Sequence, residues 1–369
     1  MRLPGLDSRL LLTYDPRFHE WPECAGRSWT AALVPEEADP NLRGLEASMK
    51  RSLMFPGLLV VGLVPLTGCV GPTATDSEST EIRKHVVFVS ADEEYRSEES
   101  LPMLAAILER DHPIRTTVLY AIRKDTGEID PEAVDNLPGL EVLATADLVV
   151  FFMRYRAIPD DQLRHILEYC RAGGPRAAFR TTNHAFRYRA FEGDERKKWD
   201  YGFGTEFFGQ RFIGYQGGQT DVTLVDAEKE HPILRGVTPV HCRSWLYTAS
   251  NEEHALDPKV APLLIGHPVG AEFPKPPKSH PCAWYRIDER GGGEKVRVFY
   301  TSLGHCEDFQ RESVRKLSIN AFLWCLGLED RISASGADAA LVGAYDPTPS
   351  KVGGHKRGVF PPGSKASAR

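Results

Sequence analysis

The chain has 369 residues, of which 26% are charged and 41% hydrophobic, with a formal net charge of −6. It has neither a long basic run nor an acidic tail, which excludes the electrostatic footprint of a nucleic-acid binder. The length allows a sizeable core in one large domain or two small ones.

In chain order, residues 1–48 are an unpatterned mixture, with Trp21, Pro22, Cys24 and Trp29 among charges and no sustained helical or strand period. Met49-Lys50-Arg51, an apolar run from Leu53 to Leu66, and Leu66-Thr67-Gly68-Cys69 then describe a secretory leader cut before a lipid-bearing cysteine. The run holds Pro56, Gly57, Gly62 and Pro65 and falls short of the ~20 residues that span a bilayer as a helix. The expectation is therefore a mis-assigned upstream extension over 1–48, a signal peptide over 49–68, lipidation at Cys69 and a polar tether over 69–83. The product would be exported to the bacterial periplasm or cell envelope and held at the membrane by its lipid alone. The alternative is a genuine extension whose apolar run is a buried core segment. With Cys24 and Cys69 set aside, Cys170, Cys242, Cys282, Cys306 and Cys325 remain, an odd set that leaves at least one thiol unpaired.

From residue 84 strands and helices alternate. His85 to Ser90 is a β-branched run, and Leu101, Leu104, Ala105 and Leu108 then recur at helical spacing. Thr116 to Ala121 and Asp147 to Met153 read as strands, and Pro159 to Ala172 as a helix started by Pro159, Asp160 and Asp161 and ended by Gly173-Gly174. Its apolar stripe, Leu163, Ile166, Leu167 and Cys170, makes Cys170 a core residue. Arg176 to Thr181 is a fourth strand. This alternation predicts an α/β fold, doubly wound around a mainly parallel sheet.

Residues 187–218 are rich in glycine and aromatics with little periodicity, which suits a long excursion over a site. Short strands follow at 221–225, 245–248, 262–265, 283–287 and 296–301, the last two joined by Gly291-Gly292-Gly293. Arg311 to Leu328 reads as a closing helix, ending an α/β domain over 84–328. Beyond it, 329–369 lacks apolar period and reads as a disordered tail.

Ligands of open α/β sheets bind beyond the carboxyl ends of the strands. That rule selects the loops carrying Asp92, Glu93 and Glu94; Arg154; Asn183 and His184; and His305, Glu307 and Asp308.

Several segments of this domain, in order and spacing, resemble the trehalose-utilisation (ThuA-like) family. They are Phe179-Arg180-Thr181-Thr182-Asn183-His184-Ala185-Phe186, Phe203-Gly204 with Phe208-Gly209, and His231-Pro232-Ile233-Leu234-Arg235-Gly236-Val237. Ser244-Trp245-Leu246-Tyr247, Pro281-Cys282-Ala283-Trp284 and Val298-Phe299-Tyr300-Thr301-Ser302-Leu303-Gly304-His305 complete the set. The resemblance implies a flavodoxin-like sheet of the class I glutamine amidotransferase type and a link to sugar metabolism. Those amidotransferases place a nucleophilic cysteine on the turn after the fourth strand, whereas this chain has Thr182-Asn183-His184 there, so glutaminase chemistry is rejected.

His184 and His305 are the expected catalytic residues, suited to moving a proton on a sugar or ligating a metal. Arg154, Arg180, Asn183 and Gln216 are expected to bind substrate, and Trp245 to stack a sugar ring, with Tyr247 and Tyr215 as further candidates. No C-x-x-C or H-E-x-x-H spacing marks a structural zinc, which leaves an open divalent-metal site as the one metal option. The leading expectation is an exported, lipid-anchored enzyme acting on a trehalose-like or keto-sugar, by elimination, isomerisation or hydrolysis. The second is a non-catalytic module of the same fold that binds glycan or serves assembly.

Overall fold

The computed structural model describes residues 83–270 and 278–364. The expected upstream extension, the signal peptide, Cys69 and all but the last residue of the tether lie outside the described residues.

The elements in chain order are β1 (Lys84–Ala91), α1 (Ser97–Asp111), β2 (Ile114–Tyr120), β3 (Leu148–Met153), α2 (Asp160–Arg171), β4 (Arg176–Phe179) and α3 (Trp199–Phe208). They continue with β5 (Tyr215–Gly217), β6 (Gln219–Leu224), β7 (Val240–Cys242), β8 (Leu246–Tyr247), β9 (Ala261–Val269), β10 (His280–Arg290), β11 (Glu294–Thr301) and α4 (Glu312–Cys325). One nine-stranded sheet runs in the order β2-β1-β3-β4-β11-β10-β9-β6-β7, and β5 pairs with β8 apart from it.

The doubly wound parallel core expected from the alternation is present. Strands β2, β1, β3, β4 and β11 are mutually parallel, with Phe88 opposite Val118 on one side and Val150 on the other. β1 and β3 are buried along nearly their whole length, which is why they read as unbroken apolar runs and not as alternating ones. From β11 the sheet continues as an antiparallel half through β10, β9, β6 and β7, a direction the short apolar runs did not specify.

Each face of the sheet has its own core. Val86, Phe88, Val150 and Phe152 pack with Leu101, Leu104 and Leu108 of α1 and Leu317, Phe322 and Trp324 of α4. Val87, Val89, Val149 and Phe151 point the other way, onto Leu163 and Ile166 of α2 and Phe203, Phe207 and Phe208 of α3. The chain turns from β1 to β2 on one side and crosses to β3 on the other, so the strand order reverses between β1 and β3. This is the crevice where such sheets take ligands.

Two expectations are corrected. Residues 187–218 are not simply an excursion: α3 lies within them as a core element, with Trp199, Phe203 and Phe207 at helical spacing against the sheet. The segment 329–369 is not a disordered tail over its described part, where Arg315 Nε donates to Ala339 O at 2.7 Å and Ile129 N donates to Val359 O at 2.8 Å. All five cysteines of the domain are free and buried. Among the described residues, no helix is long and apolar enough to cross a membrane.

Candidate functional site

Three non-glycine residues among those described adopt left-handed backbone: Arg96 (φ 60°), Tyr155 (52°) and Arg180 (41°). They lie in the loops after β1, β3 and β4, so the strain converges on the carboxyl ends of neighbouring strands, as strain at ligand sites does. The loops are clasped to one another. Asp92 Oδ1 accepts from Tyr95 N at 2.5 Å and its Oδ2 accepts from Thr181 Oγ1 at 2.5 Å. Glu93 joins the two arginines of the β3 loop, receiving Arg154 on one oxygen and Arg156 Nη2 on the other at 2.8 Å.

A row of rings and guanidiniums crosses these loop ends. The Arg154 guanidinium lies 4.4 Å from the Tyr155 ring, and Tyr155 lies 5.1 Å from His184. His184 is 6.0 Å from Tyr247, and Arg180 sits between Tyr247 and Tyr95 at 4.5 and 4.4 Å. Tyr95 then lies 5.9 Å from His305. The two histidines are therefore not side by side; Tyr247, Arg180 and Tyr95 stand between them. Arg180 is 2% exposed and pairs with no acid among the described residues, donating to Trp245 O at 3.0 Å and Ser302 O at 2.8 Å.

Hydrogen bonding gives the histidines opposite tautomers. Thr248 O can only accept, and it receives Gln210 Nε2 at 3.0 Å. Gln210 Oε1 therefore faces Asn183 and accepts from its Nδ2 at 2.7 Å, which turns Asn183 Oδ1 toward His184 Nδ1, also at 2.7 Å. His184 must donate from Nδ1, leaving a lone pair on Nε2. Burial holds this imidazole well below its ordinary pKa, and the charges of Arg154, Arg180 and Arg189 push it further down. His305 is the reverse: its Nδ1 accepts from Glu307 N at 3.2 Å, so its Nε2 carries the proton and donates to Ser350 Oγ at 2.7 Å. His305 caps the short helix over 306–310, and both its nitrogens are engaged. Burial lowers its pKa as well, opposed by Asp308 and helped by Arg180.

The remaining expected residues fall as follows. Arg154, Arg180 and Asn183 gather with His184, but Asn183 spends its amide on Gln210 and His184. Gln216 donates to Thr248 Oγ1 at 2.7 Å and accepts from Lys278 N at 2.8 Å, so both ends of its amide are also taken. Trp245 is 47% exposed and lies 5.2 Å from Tyr215, itself 39% exposed; the pair forms an open aromatic surface next to the carbonyl that holds Arg180. Asp308 receives Arg243 N at 2.6 Å and Ser244 Oγ at 2.5 Å, which makes it an organiser of the His305 loop.

Sequence reasoning missed Gln210, Tyr95, Tyr155 and Arg156. Gln210 follows the Phe208-Gly209 pair, and its distance of 27 residues from Asn183 gave no signal of their contact. It also missed the C-terminal strap. Arg96 Nη2 donates to Pro349 O at 2.8 Å and Lys351 O at 2.7 Å, and Thr348 N donates to Glu99 Oε2 at 2.9 Å. Cys306 Sγ donates to Thr348 O at 3.5 Å beneath the strap, and burial pushes that thiol up to about 11, away from nucleophile chemistry.

Among the described residues, one group of three His, Asp or Glu side chains is close enough to share an ion: Asp130, Glu132 and His355. Arg123 and Arg357 already neutralise its carboxylates. Around His184 the neighbouring charges are guanidiniums, which oppose a divalent cation as they oppose a proton. A cavity of about 520 Å³ lined by Lys84, Asp147, Tyr169 and Pro175 lies at the amino ends of the strands, the end opposite these loops.

A search of the curated proteins gives no match. Among solved structures, a ThuA-like protein from Bacteroides uniformis is similar at 15% identity and a TM-score of 0.44, covering 66% of this chain and 91% of that one. A ThuA-like protein from Parabacteroides merdae is similar at 17% identity and a TM-score of 0.43, covering 66% and 90%. The family model described as trehalose utilisation matches residues 84–325, the whole span from β1 through α4, and the chain belongs to that ThuA family.

Proposed function

We propose that this chain is an exported, lipid-anchored enzyme of carbohydrate metabolism in which His184 Nε2 takes a proton from a sugar. The observation that carries the reading is the relay from Thr248 O through Gln210 and Asn183 to His184 Nδ1, which leaves Nε2 as the one basic atom of a neutral imidazole. A neutral base beside guanidiniums suits proton abstraction next to a ketone, because the oxyanion that forms is stabilised by the same positive charge that keeps the base unprotonated. Family membership supports a sugar substrate, and the open Trp245–Tyr215 pair offers a surface for its ring. His305 has a capping part in this proposal and no part in the chemistry.

The test is turnover of a panel of keto-sugars and trehalose-like disaccharides by the protein and its His184→Asn variant. A loss of at least about 100-fold in kcat is expected, the usual worth of a positioned base. Undiminished turnover would overturn the role of His184. Glycan binding without turnover by either protein would favour the non-catalytic reading, which the same Trp245–Tyr215 surface supports. The anchor is tested separately: Cys69→Ala should move the protein from membranes to the soluble fraction, whereas a soluble parent protein that retains residues 1–48 would refute it.

A further inference from the structure

We infer that the ligand held at His184 carries a compact oxyanion, a carboxylate or a phosphate, on its carbohydrate body. The inference rests on the reading of the His184 loops as a ligand site.

Two tyrosine rings are each met by two guanidiniums: Tyr155, which packs against His184, and Tyr201, which shares Arg189 with the surroundings of the histidine. Tyr155 has Arg154 at 4.4 Å and Arg187 at 5.3 Å, and Tyr201 has Arg211 at 4.0 Å and Arg189 at 4.9 Å. Phe212, the residue after Arg211, packs its ring 4.4 Å from the histidine. The acids of the region are committed: Glu93 and Glu94 to Arg154, Glu93 also to Arg156, and Asp200 to Arg189. Among the described residues, Arg187, Arg211 and the buried Arg180 have no carboxylate partner. Arg211 Nε is buried with no acceptor among the described residues, while Arg187 is exposed and free to reach a ligand.

Guanidiniums repel one another, and a cluster with an excess of them is balanced when an anion enters. Planar guanidiniums laid on rings offer pairs of N–H groups that match carboxylate and phosphate oxygens, which a neutral sugar cannot use as well. An anion bound here also acts on the base. Its negative charge cancels part of the field that holds His184 down, so binding the right ligand raises the proton affinity of the atom that must accept the proton. The same charge thus serves selection and activation.

The experiment is calorimetric titration of the full chain with matched pairs at low salt: glucose against glucuronate, glucose against glucose 6-phosphate, and inorganic phosphate alone. We expect one charged member to bind at least about tenfold more tightly than glucose, with the advantage shrinking as salt rises. Which member wins separates carboxylate from phosphate, and tight binding of phosphate alone would place recognition in the anion itself. Arg187→Gln and Arg211→Gln should each reduce the advantage of the charged ligand at least about threefold while leaving the weak binding of glucose unchanged. In NMR titrations the His184 pKa should rise when the charged ligand is present. Equal binding of charged and neutral members, or no binding of any, would overturn the inference. Charged ligands that bind but are never turned over would leave it standing and remove the catalytic proposal instead.

Discussion

His305 Nε2 lies 2.7 Å from Ser350 Oγ, tying the loop after β11 to a residue 45 positions further along the chain. With Nδ1 engaged by Glu307 N, the imidazole has no free nitrogen, whereas His184 keeps one. Asn accepts a backbone N–H at a helix start as well as His does. His305→Asn should therefore keep turnover within a few-fold and cost about 1 kcal/mol of stability, while His184→Asn loses turnover. Parallel kinetics and urea melts check this; equal losses of turnover in both variants would return His305 to the chemistry.

The strap that carries Ser350 also holds Arg96, a buried cation whose Nη2 donates to two strap carbonyls. A chain ending at Gly343 leaves that guanidinium and Glu99 without these partners. It should lose at least about 2 kcal/mol, read as a lower urea midpoint. An unchanged midpoint would mean that the strap adds nothing to the fold.

Gln210 sets the direction of the amide relay. Gln210→Met removes the acceptor of Asn183 and the donor to Thr248, so Asn183 is free to turn over. The expected results are a mixture of His184 tautomers in nitrogen NMR spectra and a loss of about 1–3 kcal/mol, the cost of stranding a buried amide. A single Nδ1–H tautomer in the variant would show that the relay is not what fixes it.

Gly204 lets α3 approach the relay. A Cβ there would sit 2.5 Å from Asn183 O and 2.6 Å from Gln210 O, both backbone atoms of the residues that orient His184. Gly204→Ala should cost about 1–3 kcal/mol by overpacking and disturb the His184 signals, although alanine favours the helix itself. A more stable variant would contradict the packing.

His231 is held down to about 4 by burial, with Arg297 and Arg235 adding to it, below its ordinary 6.5. Its folded pKa is depressed, so the unfolded chain takes up the proton first. Stability is fully present above pH 6.5 and falls as pH drops from there toward 4, at no more than about 1.4 kcal/mol per pH unit for one proton. Partial exposure makes its own share smaller. His231→Asn keeps an acceptor for Ile233 N and removes the titration, so its melting temperature should fall less over this interval. Parallel acid profiles in both proteins would assign the acid loss elsewhere.

Much of the fold was legible because buried strands and amphipathic helices write their periods directly into the chain. The strands read at His85 to Ser90 and Asp147 to Met153 are present to within a residue or two at their ends, and the stripe of α2 is buried as its period indicated. Helix α3 was hidden because Gly202 and Gly204 break an aromatic repeat that is otherwise helical. The strap was hidden for a different reason: Thr348, Ser350 and the carbonyls of Pro349 and Lys351 dock through hydrogen bonds, which carry no apolar period.

The sequence alone determined the parallel core, the family pattern and which loops follow the carboxyl ends of the strands, since each depends on local periods or on short motifs in order. Only the tertiary structure decided which histidine is free. A tautomer is set by the partner of the other ring nitrogen, and those partners chain back to Gln210 and Thr248 for His184 and to Ser350 for His305. Packing brings them together across long stretches of chain, and no residue type or spacing near either histidine records it.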